Sequence, residues 1–294
     1  MTGQFSHVLN VIAPDADHLA QKLRSFGEPL WLAKGRAFDI RLEGDARGVL
    51  DEARALAGAA AADINVVAAD RRRKALLVSD MESTIIDCEC LDELAAIAGI
   101  GPKIAAITER AMKGEIAFEG ALRERVGLLK GLPLTALERV WRERVHLIAG
   151  AKELVATMKA HGARTVLVSG GFAYFTSRVA HAAGFDEFQS NVLNDDGTAL
   201  TGTVGEPILG REAKLEALER SLKKLGLRAR DALAVGDGAN DLDMIQRAGQ
   251  SGGLGVAFHA KPVVAAAAGA SIAHNDLKAL LYLQGYRDEE IVSN

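Results

Sequence analysis

Cysteine is scarce in this chain, and long apolar runs are missing. Among 294 residues the only cysteines are Cys88 and Cys90, with Glu89 alone between them. That spacing is too tight for an ordinary structural disulfide, which excludes a disulfide scaffold and leads us to expect a reducing, cytosolic setting. The triplet has neither a second cysteine pair nor spaced histidines to complete a metal site, and reads as two semi-buried thiols. The longest weakly polar stretch, Pro262 to Ala273, is Ala-rich and shorter than the roughly 18 to 20 apolar residues of a membrane span. No basic stretch leads into an apolar run at the N-terminus, so no secretory leader is expected. Positive charge is not in excess either. Lys and Arg number 35 against 39 Asp and Glu, a formal charge of -4, and nucleic acid is not an expected partner. No internal repeat is visible.

What is present is a globular mixture, 49% hydrophobic and 25% charged, long enough for about two domains of roughly 100 to 200 residues. From His7 to Ile12 the chain is apolar and β-prone, and Ala16 to Phe26 carries Leu19, Leu23 and Phe26 at helical spacing. Two further strands are expected over Pro29 to Ala33 and Ala37 to Leu42, around the Lys34-Gly35 turn, then a helix over Asp45 to Ala57 and a strand over Ile64 to Ala68. The order βαββαβ is the split ferredoxin-like pattern. It resembles an ACT-type module, with two roles open: sensing an amino-acid effector, or docking and dimerisation that would make the chain a homodimer. The basic run Arg71-Arg72-Arg73-Lys74 reads as a solvated linker. It divides the chain into domains of residues 1–72 and 73–294.

Beyond it, Ala75 to Val78, Thr165 to Val168, Ala232 to Val235 and Gly255 to Phe258 are short apolar runs separated by helical stretches. Parallel strands with helices on both faces have this character, so an α/β, Rossmann-like parallel sheet is expected. Leu91 to Val145 is too long for a simple crossover and should form a helical lid, giving a cap at about 88–148. Asn191 to Val204, with an Asn-Asp-Asp-Gly turn, reads as a β-hairpin.

The chemistry-bearing residues fall where three of these strands end. Asp80 and Glu82 follow the first, Ser169-Gly170-Gly171 the second, and Asp237-Gly238-Ala239-Asn240-Asp241 the third. Open α/β sheets place ligands at such carboxyl ends, and the acidic edge implies a cation. Taken singly each string is an ordinary turn; turns alone do not account for their order on successive strand ends.

That order resembles the haloacid dehalogenase-like phosphohydrolases, with their Asp-x-Asp start, a Ser or Thr after a second strand, a Lys and a terminal acidic cluster. Asp80-Met81-Glu82-Ser83-Thr84, Glu89, Gly114 to Glu119, Leu122 to Val126 and Leu128 to Pro133 are similar to one branch of that family, the phosphoserine phosphatases. The resemblance covers roughly Ala75 to Ala273. It implies Mg²⁺-dependent hydrolysis of phosphoserine, with Asp80 as the nucleophile that becomes an aspartyl-phosphate. Mg²⁺ would be held by Asp80, the Glu82 carbonyl and Asp237, with Asn240 and Asp241 orienting its waters and Lys214. Ser169, the Gly170 and Gly171 amides at a helix N-terminus, and Lys214 would hold the phosphoryl group. Glu89 would take the substrate ammonium and Arg125 its carboxylate, with Met112 and Phe118 walling the pocket. Glu82 departs from the family's Asp. Its extra methylene moves the acid and base carboxyl by about 1.5 Å, which puts efficiency in question more than reaction type. Rival readings are a phosphotransferase, a phosphatase for another small phospho-amine, and a non-catalytic amino-acid sensor.

Overall fold

A computed structural model describes residues 6–43 and 46–293, and within it the chain builds two principal β-sheets. The first is formed by β1 (His7–Ile12), β2 (Leu30–Ala33), β3 (Ala37–Leu42) and β4 (Asp63–Ala68), with α1 (Ala16–Lys22) and α2 (Val49–Ala57) on one face. Its order is β2-β3-β1-β4, and every pairing is antiparallel. Alternation places Leu9 and Val11 of β1 against α1 and α2, with Leu19, Leu23, Phe38 and Ile40, while Val8 and Ile12 enter the larger core. Both faces are therefore buried, which explains why β1 reads as a continuous apolar run. The first helix is shorter than its spacing suggests: α1 ends at Lys22 and Arg24–Phe26 is a 3-10 turn. Asp45, the expected start of the second helix, lies outside the described residues.

Only half of the basic run is solvated: Arg71 and Arg73 are exposed, whereas Arg72 and Lys74 are withdrawn from water. Arg72 is buried in an ion pair with Asp39, where its Nη2 donates to Oδ1 at 2.9 Å, and it also donates to the carbonyls of Leu283 (2.7 Å) and Tyr282 (3.1 Å). Lys74 is 3% exposed, and its ammonium donates to the carbonyls of Arg71 (2.8 Å), Arg230 (3.0 Å) and Gly252 (2.8 Å). Burial pulls its pKa down to about 8. Nearby, Asp63 accepts from the backbone N–H groups of Ala273 (2.7 Å), His274 (3.1 Å) and Asn275 (3.1 Å). These groups form a polar seam between the two sheets, because each charge is buried only where hydrogen bonds replace its water.

The second sheet comprises β5 (Leu76–Ser79), β6 (Arg164–Phe172), β7 (Glu187–Asn191), β10 (Ala232–Gly236), β11 (Leu254–Phe258) and β12 (Ala270–Ile272), all parallel, in the order β12-β11-β10-β5-β6-β7. Leu76 and Val78 pack on one face and Leu77 on the other, as a strand covered on both sides requires. The edge strands β7 and β12 escape sequence reading because the first is polar (EFQSN) and the second is three residues in an Ala-rich run. Helices α7 (Ala151–Ala160), α8 (Ala173–Ala183), α9 (Arg211–Leu225), α10 (Leu242–Gly249), α11 (Pro262–Ala267) and α12 (Ala279–Leu283) complete the core. The cap is four helices, α3 (Cys90–Ile97), α4 (Gly101–Met112), α5 (Phe118–Gly127) and α6 (Leu134–Glu143). The hairpin β8 (Leu193–Asp195) and β9 (Leu200–Val204) is hydrogen-bonded to the cap through Gly131 N to Leu200 O (2.8 Å), Leu200 N to Leu132 O (2.9 Å) and Leu134 N to Thr198 O (3.0 Å). Among the described residues no helix is long and apolar enough to cross a membrane.

Candidate active site

Strand order reverses at β5, whose neighbours are β10 on one side and β6 on the other. The crevice at their carboxyl ends is where such sheets bind ligands. A cavity of about 280 Å³ opens there, lined from the core by Asp80, Glu82, Gly170, Gly171, Lys214 and Asp237, and from the cap by Glu89, Phe118 and Arg125.

Lys214, in the first turns of α9, is 3% exposed. Its ammonium lies 2.8 Å from Asp80 Oδ1 and 2.6 Å from Asp241 Oδ1. Burial alone would lower the lysine pKa, but the two carboxylates outweigh it and hold the group charged. Burial, followed by repulsion from Asp241, raises the carboxyls of both Asp80 and Asp237, with Lys214 opposing in each case. Asp80, Asp237 and Asp241 each bring a carboxylate oxygen within 4.8 Å of the others. One lysine among three carboxylates leaves a negative excess, and the all-oxygen donor set suits a hard divalent cation. Asp241 is occupied at both oxygens: Oδ1 accepts from Lys214 and Oδ2 from the Gly238 N–H at 3.0 Å. That leaves Asp80 and Asp237 as the carboxylates free for a metal. The cysteines join no such cluster among the described residues; Cys90 is buried and Cys88 half-buried, both as free thiols.

Glu82 is anchored through one carboxyl oxygen. Its Oε1 accepts the Cys90 N–H at 2.8 Å, which anchors the carboxyl to the start of α3. Burial raises its pKa against that hydrogen bond. Its other oxygen lies above Gly171, where a Cβ would approach Oε2 to 2.8 Å and Ser169 Oγ to 3.0 Å. A side chain at 171 would have to displace this carboxyl from its place. Ser169, Gly170 and Gly171 do not open a helix as expected: β6 continues to Phe172 and α8 begins at Ala173. The Gly171 N–H is spent on Ser169 Oγ at 2.8 Å, and the register against β7 shifts between Val168 and Phe172. Ser169, 2% exposed, does not itself line the cavity, unlike Gly170 and Gly171.

On the cap side, Ser83 adopts a left-handed backbone (φ 54) and donates from its hydroxyl to Glu89 Oε1 at 2.9 Å. Burial, then the charge of Glu82, pushes the Glu89 carboxyl up to about 7. Arg125 donates from Nε to the Ala121 carbonyl at 3.3 Å. Burial lowers its pKa, opposed first by Asp92 and then by Glu82 and Glu89. Phe118 is 36% exposed, with its ring tip 3.6 Å from where a Gly170 Cβ would stand. Asn240 lines the cavity from an exposed 3-10 turn. Met112 closes α4, and its side chain lies outside the described residues. Sequence reading missed Leu91, Asp92, Thr108, Leu122 and Phe172, which also line the cavity. Asp92 carried a usable signal, three residues after Glu89 at the start of α3 and so on the same face.

The family model of the haloacid dehalogenase-like hydrolases matches residues 74–249. The chain belongs to this family. The hydrolase is 46% identical over 209 residues to a phosphoserine phosphatase of Archaeoglobus fulgidus, covering 71% of this chain and 59% of that protein; it thus spans about three fifths of that relative's length. A haloacid dehalogenase family hydrolase from Salmonella enterica superposes with a TM-score of 0.84 at 29% identity, covering 96% of this chain and 99% of the other. A phosphoserine phosphatase solved as a phospho-aspartyl intermediate analogue superposes with a TM-score of 0.64 at 38% identity, covering 71% and 98%.

Proposed function

We propose that the hydrolase is a Mg²⁺-dependent phosphoserine phosphatase working through an aspartyl-phosphate, and that it serves serine biosynthesis. The observation that carries this reading is the polarity of one small cavity: a buried carboxylate and lysine on its core wall, and an arginine and a carboxylate on its cap wall. A phosphoryl group and an amino-acid head group need those two ends. The names of two of the proteins it resembles agree.

Asp80 attacks phosphorus, the ester P–O bond breaks, and the Glu82 carboxyl gives its proton to the departing serine oxygen. The raised pKa of Glu82 keeps that proton available. Glu82, now a carboxylate, takes a proton from water as the water attacks the phosphorus of the aspartyl-phosphate, freeing phosphate and restoring Asp80. Lys214, itself fixed by Asp241, balances charge on the phosphoryl oxygens and holds Asp80 in place. The Gly170 N–H completes the phosphoryl cradle, and Ser169 supports it by holding the Gly171 N–H. Mg²⁺, held by Asp80, Asp237 and the Glu82 carbonyl with Asn240 and Asp241 outside it, would supply further charge neutralisation. Arg125 orients the substrate carboxylate with its planar fork and Glu89 the ammonium, which Asp92 also faces, while Met112 and Phe118 exclude water.

We assign residues 1–72 to an ACT-like domain that binds an amino-acid effector or pairs two chains, and 73–294 to the catalytic domain. A panel of phosphate monoesters assayed with and without Mg²⁺ tests the catalytic reading. It expects phosphoserine to be preferred, metal to be required, and phosphate to appear one-for-one with serine. Transfer of phosphate to added homoserine would instead mark a phosphotransferase, and absence of turnover on every ester would leave a sensor.

A further inference from the structure

The opposite edge of the parallel sheet carries a second cleft, of about 550 Å³, with the reverse charge. Its ionisable lining is Lys223 near the end of α9, Arg228 and Arg230 before β10, and Arg247 of α10, against the single carboxylate of Glu219. Glu219 is committed to Arg247, whose Nε it accepts. Among the described residues no carboxylate lies within 4 Å of the head groups of Lys223, Arg228 or Arg230. The Arg230 Nε is buried without an acceptor, an arrangement that costs desolvation with no hydrogen bond in return.

This floor is rigid. The Arg230 and Gly252 carbonyls are both held by the buried Lys74 ammonium, at 3.0 and 2.8 Å, and Ser251 between them in the cleft wall has a left-handed backbone (φ 55). Leu222 and Leu227 supply an apolar wall. The chain's charge of -4 offers no wider basic surface for a polymer, and a cleft of this size matches a small molecule.

We propose that this amino-edge cleft binds a small molecule bearing two linked phosphates. Arginine forks meet phosphate oxygens in pairs, and three unpaired cations match the charge of a pyrophosphate better than that of a single phosphate dianion. The uncharged body of the ligand lies against Leu222 and Leu227. The inference is independent of the hydrolytic reading, because the cleft shares no lining residue with the catalytic cavity.

Isothermal titration of the full chain with sodium pyrophosphate in Mg²⁺-free buffer is the test, with orthophosphate and ADP as further titrants. Saturable pyrophosphate binding is expected, about tenfold or more tighter than orthophosphate, and weakened at least about tenfold in an Arg228→Gln/Arg230→Gln variant. Turnover of p-nitrophenyl phosphate by that variant should stay within about twofold of wild type, which separates the cleft from the catalytic cavity. ADP binding at least as tightly as pyrophosphate supports the apolar wall as a seat for the ligand body. Should the double variant misfold, exposed Lys223→Gln replaces it, with a few-fold loss expected. Absence of saturable binding, equal affinity for the two inorganic anions, or variants that titrate like wild type would each overturn the proposal.

Discussion

The two walls of the catalytic cavity are built on different plans. On the core wall, the buried Lys214 is fixed at hydrogen-bond distance to both Asp80 and the buried Asp241. On the cap wall, Arg125 has one hydrogen-bond partner among the described residues, the Ala121 carbonyl, and Phe118 is partly exposed. A preorganised charge network costs nothing to assemble at the moment of reaction, whereas side chains with few partners can adjust to a ligand. The core wall should therefore govern rate and the cap wall should govern choice of substrate.

The largest expected effect breaks the core wall. Asp80→Asn replaces a nucleophile with an amide and should lower kcat by more than about a thousandfold with the fold intact. Circular dichroism and single-turnover kinetics check this, and activity within tenfold of wild type would remove the aspartyl-phosphate step.

Next comes Glu82, which belongs to the core strand end yet is anchored to the cap through Cys90 N. Glu82→Gln keeps the size and loses the proton, so kcat for phosphoserine should fall about a hundredfold to ten-thousandfold. The fall should be much smaller for p-nitrophenyl phosphate, whose leaving group needs little protonation. Similar losses on both esters would mean that the residue shapes the loop and does not donate a proton. Glu82→Asp sharpens the point, because the shorter side chain gives up the reach to Cys90 N and should lower activity. A gain would show that the backbone had not adapted to the longer side chain.

Arg125→Lys tests the cap. KM for phosphoserine should rise about tenfold, since Lys keeps the charge and loses the paired geometry, while an ester without a carboxylate changes by less than about twofold. Equal changes on both substrates would place Arg125 with the phosphate or the fold. Phe118→Ala is the mildest, a rise in KM below about tenfold with kcat nearly unchanged, because the ring is already partly in water. A collapse of kcat in steady-state assays would show that the cap also governs rate.

Much of this plan was legible in the sequence, for a physical reason. Strands buried on both faces, such as β5 and β10, are apolar runs that end abruptly, and Asp80 and Asp237 stand at those ends. Edge strands bury less, so β7 and β12 left no comparable trace. The seam at Arg72 and Lys74 was invisible because a run of basic residues is ordinarily solvated. The partners of Arg72 lie 33 residues away at Asp39 and 210 or more away at Tyr282 and Leu283. The continuation of β6 through the glycines, with its register shift against β7, was equally hidden, since a Ser-Gly-Gly string is locally an ordinary turn. Asp92 and Thr108 became visible only once the cap was folded over the sheet.

The seam also governs how the molecule can be dissected. A fragment beginning near residue 73 would retain the parallel sheet and cap but lose Asp39, Asp63 and Arg72 together. The amides of Ala273, His274 and Asn275 would then lose the carboxylate that organises them, and the apolar patch covered by Val8 and Ile12 would face water. Removing the amino-terminal sheet therefore exposes apolar surface and unpaired backbone N–H groups on the parallel-sheet core.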